Sequence, residues 1–267
     1  MKNRPKILAI TLGLQLVTAF VLAAEEPDEL KTLNQRIAAA PKDARLLIAR
    51  AKLFSASGRH QDALTDLDRA IPLKPDDIEL IDLRGSEHLL AGQFKAALAD
   101  FDRFLAKRPD QAPYHWKRGI ALYYVGDFAE GVQQFDLHQT VNNADVENAV
   151  WRAMCMARRD GWKAAQKDLL VVGPDSRVPM SQVYELFAGK ATVDDVLEAA
   201  KTGRPSPGEL RTRLFYAQLY AGLYYDAAGE PAKAAEHLSQ AVDKHLVDHY
   251  MGGIAKVHLK LLKKANK

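Results

Sequence analysis

The sequence predicts an all-α fold, a right-handed solenoid of about five helix pairs with a capping helix at each end. Three stretches repeat one pattern of two apolar helical runs around a glycine turn: "LFSASGRHQDALTDLDRAIPLKP", "HLLAGQFKAALADFDRFLAKRP" and "LYYVGDFAEGVQQFDLHQTVNN". Their glycines, Gly58, Gly92 and Gly126, follow one another at intervals of 34 residues. No stretch shows the two-residue alternation of a half-buried strand.

Each residue type in the pattern has a mechanical role. Glycine accepts the positive φ that a tight turn between antiparallel helices requires. A small residue followed four positions later by a large one lets the second helix approach the first and fill the groove beside it. These pairs are Ala63/Leu67, Ala97/Phe101 and Gly131/Phe135. Pro75 and Pro109, also 34 residues apart, end the second helices. In period and residue type the pattern resembles the tetratricopeptide repeat (TPR).

The rest of the chain is predicted to surround these units. The predicted segments are a signal peptide at 1–23, an N-terminal capping helix at 24–43, four TPR units at 44–170, an irregular helical insert at 171–207, a fifth unit at 208–248 and a C-terminal capping helix at 249–267. The insert is predicted to hold short helices at 181–187 and 193–200, the second capped by Thr192. Ser206 and Pro207 are predicted to begin the first helix of the fifth unit.

The N-terminal 23 residues are typical of a secretory signal peptide. A basic start precedes an uncharged run of 16 residues, and small residues then lead into an acidic stretch. Val21 and Ala23 suit a signal peptidase that cuts before Ala24. The run is short for a bilayer span of about 20 residues, and an uncleaved membrane anchor is the alternative. We therefore expect a periplasmic or otherwise exported protein. Without a cysteine near Ala23, we expect no lipid anchor.

The charge balance argues against a nucleic-acid partner. The formal net charge is +3, and the three basic residues before the apolar run account for it, so the predicted mature chain is about neutral. A basic cluster, "KLLKKANK", ends the chain. We interpret it as a solvated helix end whose lysines complement the helix dipole, with lipid or polyanion contact as the alternative.

The sequence lacks the motifs of a catalytic site, and we expect neither an enzyme nor a cofactor. No serine or cysteine lies in a known nucleophile motif. Cys155, the one cysteine, lies at helical spacing within "WRAMCMARR". We interpret it as a small buried hydrophobic residue rather than a reactive thiol.

Two patterns resemble metal motifs and are interpreted otherwise. His245 and His249 have the i, i+4 spacing of metal ligands, with His237 nearby, but the glutamate of the metalloprotease motif is absent. We expect these histidines to pack and cap at a helix junction, and we predict no metal requirement. The acidic motifs "DLD" at 66–68 and "DFD" at 100–102 recur because they flank the packed apolar residue of each second helix.

Aromatic residues are the strongest candidates for a binding site. The TPR resemblance implies that the first helix of each unit lines the concave surface. In the third to fifth units this places rings there, and the candidates for a partner-binding groove are Trp116, Tyr123, Tyr124, Trp151 and Tyr220. The first two units instead offer the polar residues Arg45, Lys52, Glu79, Asp82 and Ser86. The alternative is that an internal helix, or the curl of the solenoid, fills the groove.

A narrower resemblance suggests a partner class. "RGIALYYVGD", "YELFAGKATVDDVLEAA" and "FYAQLYAGLYYDAAGEPAKAAEHLSQAV" are similar to stretches of the NlpI-type TPR lipoproteins of the bacterial envelope. Such proteins are adaptors that hold peptidoglycan hydrolases and a processing protease together. The resemblance implies an exported scaffold for envelope proteins. The sequence leaves open whether the protein is a monomer or a homodimer. The alternative is a structural subunit of an outer-membrane biogenesis or secretion complex.

Overall fold

The computed structural model describes residues 27–265, so the predicted signal peptide and its cleavage site lie outside the described residues. Within this range the protein is all-α and contains no strand, which confirms the predicted fold class. The α-helices are α1 (Asp28–Ala39), α2 (Ala44–Ala56), α3 (His60–Ala70), α4 (Glu79–Leu90), α5 (Phe94–Lys107), α6 (Trp116–Val125), α7 (Phe128–Gln139), α8 (Val146–Asp160), α9 (Trp162–Lys167), α10 (Met180–Phe187), α11 (Val193–Lys201), α12 (Pro207–Ala227), α13 (Pro231–Lys244) and α14 (Tyr250–Ala265).

Consecutive helices pack as pairs: α2 with α3, α4 with α5, α6 with α7, α8 with α9, and α12 with α13. The turn glycines have the positive φ expected of them; at the end of α6, for example, Gly126 has φ 88°. The fourth pair turns at Gly161, where φ is 91°. Between the fourth and fifth pairs, α10 packs against α8 and α12, and α11 packs against α12. Thr192 caps α11 and Ser206 caps α12, each within a capping box.

Close approach within a pair depends on a glycine in the first helix. A Cβ atom on Gly85 would lie 2.7 Å from Phe101 Cε1, and one on Gly119 would lie 2.5 Å from Phe135 Cζ. In the fifth pair a Cβ on Gly222 would lie 2.7 Å from Leu238 Cγ. Real Cβ atoms do not come this close to another carbon, so these residues let the large side chain of the second helix pack directly on the first.

A ladder of arginines, which the sequence interpretation missed, links neighbouring helix pairs. Arg50, Arg84, Arg118 and Arg152 recur every 34 residues on the first helices. Arg84, for example, donates to Asp68 Oδ1 at 2.8 Å and to both carboxylate oxygens of Asp100 at 2.7 and 2.8 Å. The "DLD" and "DFD" motifs therefore do more than flank packed residues, because they supply the acceptors of this ladder.

Candidate functional site: the concave surface

The concave surface has two halves that differ in what covers them. The N-terminal half consists of the groove faces of α2 and α4. The C-terminal half consists of α6, α8 and α12, and here α14 lies against the aromatic residues. The sequence predicted a C-terminal capping helix at 249–267 but not the surface against which it packs. That inner face carries residues at helical spacing, and those buried are Met251, Ile254, Ala255, His258, Leu259 and Leu262.

Ring contacts hold α14 against the first helices. Trp116 meets Tyr250 edge to face, with ring centroids 5.2 Å apart. The hydroxyl of Tyr124 lies 3.1 Å from His258 Nδ1, within hydrogen-bond distance. The ring of Tyr123 is stacked on that of His258, with centroids 6.2 Å apart. Edge-to-face and stacked pairs of this kind stabilise beyond the area they bury.

A buried polar cluster centred on Asp226 joins α14 to α6, α8 and α12. Its carboxylate accepts from the hydroxyl of Tyr123 at 3.1 Å and from Arg158 Nη2 at 2.7 Å. Nε2 of His258 lies 3.3 Å from the same carboxylate oxygen. Burial alone would raise the pKa of Asp226, but His258 and Arg158 beside it lower that pKa to about 2. Asp226 is therefore ionised at neutral pH, and α14 packs against its negative charge.

Tyr220 belongs to a different cluster. It is fully buried in α12, and its hydroxyl donates to Glu147 of α8. Burial, followed by the nearby Glu147 carboxylate, raises the pKa of Tyr220 well above its usual value. Glu147 also accepts from Arg177 in the segment before α10, at 2.6 Å. Tyr220 therefore ties the fifth pair to the fourth.

These positions correct the expectation of an open aromatic groove. The structure does bring Trp116, Tyr123, Tyr124 and Trp151 together, but α14 covers them. Trp151 is only 2% exposed and Tyr123 only 6%. The self-filled groove, which the sequence left as the alternative, is the arrangement observed. Its physical cause is the apolar inner face of α14, which gains more by burial against the rings than by exposure to water.

The part of the N-terminal half between α2 and α4 remains open, although α14 also meets the end of α4 at Leu90. A cleft of about 590 Å³ lies there between α2 and α4. Its walls include Ile48, Lys52, Glu79 and Leu83. Deeper along α4, Lys117 from the next unit donates to Asp82 and to Ser86, both at 2.8 Å. This half therefore combines polar and apolar side chains, and the groove residues Asp82 and Ser86 are already paired within the chain.

The other candidate groups have ordinary packing partners. Cys155 is fully buried, and burial raises its thiol pKa to about 12, well above the range of a reactive thiolate. His249 Nε2 lies 3.1 Å from the hydroxyl of Tyr216, and His237 Nδ1 lies 2.7 Å from Gln218 Oε1. Between residues 27 and 265 no three His, Cys, Asp or Glu side chains are grouped to hold a metal ion. In the same part of the chain, every helix is too short or too polar to cross a bilayer.

Comparison with known proteins agrees with this architecture. A tetratricopeptide repeat family model matches residues 53–116. This part of the chain carries tetratricopeptide repeats. A crystal structure of a TPR protein from Parabacteroides merdae superposes with a TM-score of 0.52 at 19% identity, covering 88% of this chain and 90% of that one. The shared fold is therefore that of a TPR protein.

Other solved TPR proteins are similar at lower scores. YrrB, described as a TPR protein with an unusual peptide-binding site, gives a TM-score of 0.43 at 19% identity, covering 85% of this chain and 98% of that one. A TPR protein of Thermus thermophilus gives 0.42 at 16% identity, covering 82% and 99%. No curated protein matches the sequence. Helical-repeat solenoids form extended concave binding surfaces, and the open cleft between α2 and α4 is therefore the candidate site.

Proposed function

We propose that this protein is a non-catalytic TPR scaffold that binds a segment of another protein in the N-terminal half of its concave surface. The observation that supports this proposal is the difference between the two halves. The chain's own helix α14 already covers the C-terminal half, whereas the cleft of about 590 Å³ between α2 and α4 is free for a partner.

The side chains of the cleft define the segment that would fit. Ile48 and Leu83 provide an apolar strip, and Lys52 lies beside them. Arg45 is paired with Asp43, and Glu79 with Arg108. Lys52, in contrast, is exposed and forms no ion pair with any described residue. We therefore propose a partner segment that carries apolar side chains and a carboxylate positioned to reach Lys52.

We further propose that the partners are proteins of the bacterial envelope. The signal-like N-terminal segment and the narrower resemblance described above support an exported adaptor for peptidoglycan hydrolases and a processing protease. The same observations are compatible with a second role, a structural subunit of an outer-membrane biogenesis or secretion complex. The absence of a cysteine near Ala23 favours a partner-held or free periplasmic protein over a lipid-tethered one.

Affinity capture from the native envelope tests this function. Wild-type protein should retain specific partners, and Lys52→Glu should lose them because it places a like charge opposite the partner's carboxylate. Lys163→Glu makes the same change at an exposed lysine of α9, outside the cleft, and should retain them. Peptidoglycan enzymes and a protease among the partners would support the adaptor, and outer-membrane channel proteins would support the assembly role. Equal recovery with both variants would contradict the cleft as the binding site.

A further inference from the structure

The exposed face of α14 is a stripe of lysines without counter-charges. Lys256, Lys260, Lys263 and Lys264 are all exposed, and none of them forms an ion pair with any residue that the structure describes. The 16 residues of α14 include no aspartate or glutamate. Lys256, Lys260 and Lys263 follow one another at the i, i+4, i+7 spacing of a single helix face.

The helix dipole accounts for only part of this stripe. Cations in the last turn of a helix interact favourably with its negative C-terminal end, which explains Lys263 and Lys264. That effect is confined to the last turn, and Lys256 and Lys260 precede it. Like charges four residues apart destabilise a helix. A negative charge from outside the chain would therefore stabilise α14 at Lys256 and Lys260.

The exposed stripe of α14 is narrow. Val257 and Leu259, on either side of the lysines, are only 7% and 4% exposed. At 3.6 residues per turn, these two buried residues are about 160° apart across the lysine side of the helix. Other helices thus enclose more than half of the circumference of α14. A stripe of this width suits a single extended chain better than the broad, flat surface of a bilayer.

A continuous series of cavities connects the stripe with the open cleft between α2 and α4. The cleft shares Lys52 and Leu83 with a cavity of about 210 Å³ beside α2. That cavity shares Ser55 and Ala56 with a third one, of about 480 Å³, whose wall includes Lys256. A segment bound in the cleft can therefore continue along α2 and onto the exposed face of α14.

The charges along this path favour a negatively charged segment. Lys52 in the cleft and Lys256 in the third cavity have no ion-pair partner among the described residues. His60, also in the third cavity, is held by the buried Glu87, with Nδ1 2.8 Å from Oε2. Asp248 supplies an exposed carboxylate to the same cavity, but it precedes α14, whereas Lys256 lies more than one turn into the helix. The excess of positive charge thus lies beyond Asp248, along the stripe.

The spacing of the lysines matches that of an extended chain. At 1.5 Å per residue, Lys256 and Lys260 are about 6 Å apart along the helix axis. Alternate residues of an extended chain point to the same side and are about 6.6 Å apart. We propose, on the basis of the function proposed above, that the segment bound in the cleft continues over α14 as an acidic, extended chain. Its carboxylates, at alternate positions, face Lys256 and Lys260.

Fluorescence anisotropy with a labelled acidic peptide tests the stripe directly. The probe is fluorescein-labelled Gly-Glu-Gly-Glu-Gly-Glu-amide, and in the neutral counterpart each glutamate is replaced by glutamine. The full-length protein should bind the acidic peptide about tenfold more tightly than the neutral one, and added salt should weaken the difference because exposed charges are screened. Equal binding of the two peptides would overturn the proposal.

Matched double variants locate the binding. Lys256→Gln/Lys260→Gln should weaken binding of the acidic peptide by about fivefold. Lys163→Gln/Lys167→Gln removes two exposed lysines at the same spacing from α9, outside the path described above, and should bind the peptide as wild type does. All four side chains are exposed, so the melting temperature should change little in either variant. Equal weakening in both variants would reduce the effect to net charge and overturn the proposal.

Two further measurements separate this proposal from its alternatives. In affinity capture, partners retained by Lys256→Gln/Lys260→Gln but lost by Lys52→Glu would overturn the acidic continuation and leave the cleft as the binding site. Partners lost by Lys256→Gln/Lys260→Gln but retained by Lys52→Glu would support the stripe and contradict the cleft. Vesicles of phosphatidylcholine and phosphatidylglycerol should sediment no more wild-type protein than Lys256→Gln/Lys260→Gln protein. Sedimentation that depends on these two lysines would overturn the proposal in favour of a lipid headgroup.

Discussion

At the scale of single residues, the glycines inside first helices set how closely each helix pair packs. Gly119 and Phe135 illustrate this, because no Cβ fits between them at the observed separation. Glycine lowers helix propensity, so its presence there must be offset by packing. The large side chains of the second helices provide that packing, and Phe135 is only 1% exposed.

We therefore expect Gly119→Ala to destabilise the protein by about 1–3 kcal/mol despite its better helix propensity, because it overpacks the crossing. The measurement is urea unfolding followed by circular dichroism. Gly208→Ala is the matched control, since Gly208 has nothing within 4 Å of a Cβ and lies in the first turn of α12. It should be neutral or slightly stabilising. Equal losses in both variants would contradict a steric role for Gly119.

The stability loss on truncating Phe135, a core residue, can be compared with the loss on truncating an aromatic residue that was predicted to line the groove. Phe135→Ala should cost about 3–5 kcal/mol as a core truncation. Because Tyr124 lies under α14 and contacts His258, Tyr124→Ala should lose stability. A Tyr124→Ala protein as stable as wild type in thermal unfolding would mean that α14 does not hold this ring in solution.

At the scale of helices, the arginine ladder and the Asp226 cluster fix how neighbouring elements meet. The Arg84–Asp100 pair is mostly buried, while the Arg118–Asp102 pair has a carboxylate that is half exposed. Surface ion pairs contribute little because water screens them, whereas removing one partner of a buried pair leaves an uncompensated charge. Arg84 holds Asp100 through two hydrogen bonds within one helix pair, whereas Arg118 of α6 makes one hydrogen bond to Asp102 of α5 and so connects two helix pairs.

Asp100→Asn should therefore destabilise the protein by about 1–3 kcal/mol, as expected when a buried hydrogen bond to a charged group is lost. Asp102→Asn should cost less than about 1 kcal/mol. Chemical unfolding of both variants under one salt condition checks this order. A larger loss in Asp102→Asn than in Asp100→Asn would contradict burial as the factor that decides how much each ion pair contributes to stability.

The Asp226 cluster predicts an acid-sensitive contact between α14 and the groove. The folded pKa of Asp226, about 2, lies below its ordinary value of 3.8. A depressed folded pKa gives stability that is fully present well above pH 4 and is lost as pH falls towards 2. The difference between these two pKa values corresponds to about 2 kcal/mol of unfolding free energy at neutral pH.

Asp226→Asn should remove this contribution. The variant should be less stable than wild type at pH 7, and the two should converge as the pH approaches 2 in thermal unfolding scans. Glu236→Gln, at an exposed site on α13, should follow the wild-type curve. A constant offset between Asp226→Asn and wild type from pH 7 to pH 2 would show that the carboxylate's charge does not stabilise the fold.

At the scale of the whole molecule, α14 completes the solenoid by occupying its concave surface. The chain ends the fifth pair at α13 and then returns across the groove, so that Gly253 of α14 meets Leu90 of α4. The C-terminal helix thus contacts units distant in sequence and joins α6, α8 and α12 into one core.

A chain ending at Asp248 should therefore expose the rings of Trp116, Tyr124 and Trp151. We expect increased binding of a hydrophobic dye and a lower melting temperature, because the truncation leaves a large apolar patch in water. A synthetic peptide of residues 249–267, added in trans, should reverse both effects. A control peptide with Met251 and Ile254 changed to Asp should not. Unchanged dye binding after truncation would contradict the role of α14 as the occupant of the groove.

The sequence alone determined the features that are local and periodic. The 34-residue spacing, the glycine turns and the caps at Thr192 and Ser206 each depend on a few neighbouring residues, and the predicted helix pairs follow from them. The sequence also placed the rings of Trp116, Tyr123, Tyr124 and Trp151 on one surface, because repeat position fixes the direction of a side chain.

Only the tertiary structure decided what those rings contact. Burial of an apolar helix face is non-directional, so the pattern at 250–265 shows that α14 must pack but not against which surface. The same limit hid the arginine ladder, since a partner 16 residues away is reached only after two helices have turned back on each other. The hydrogen bond from Tyr220 of α12 to Glu147 of α8 is another contact between distant parts of the chain that no local pattern predicts. Local sequence thus fixed the units, and long-range contacts between them decided which part of the concave surface is left for a partner.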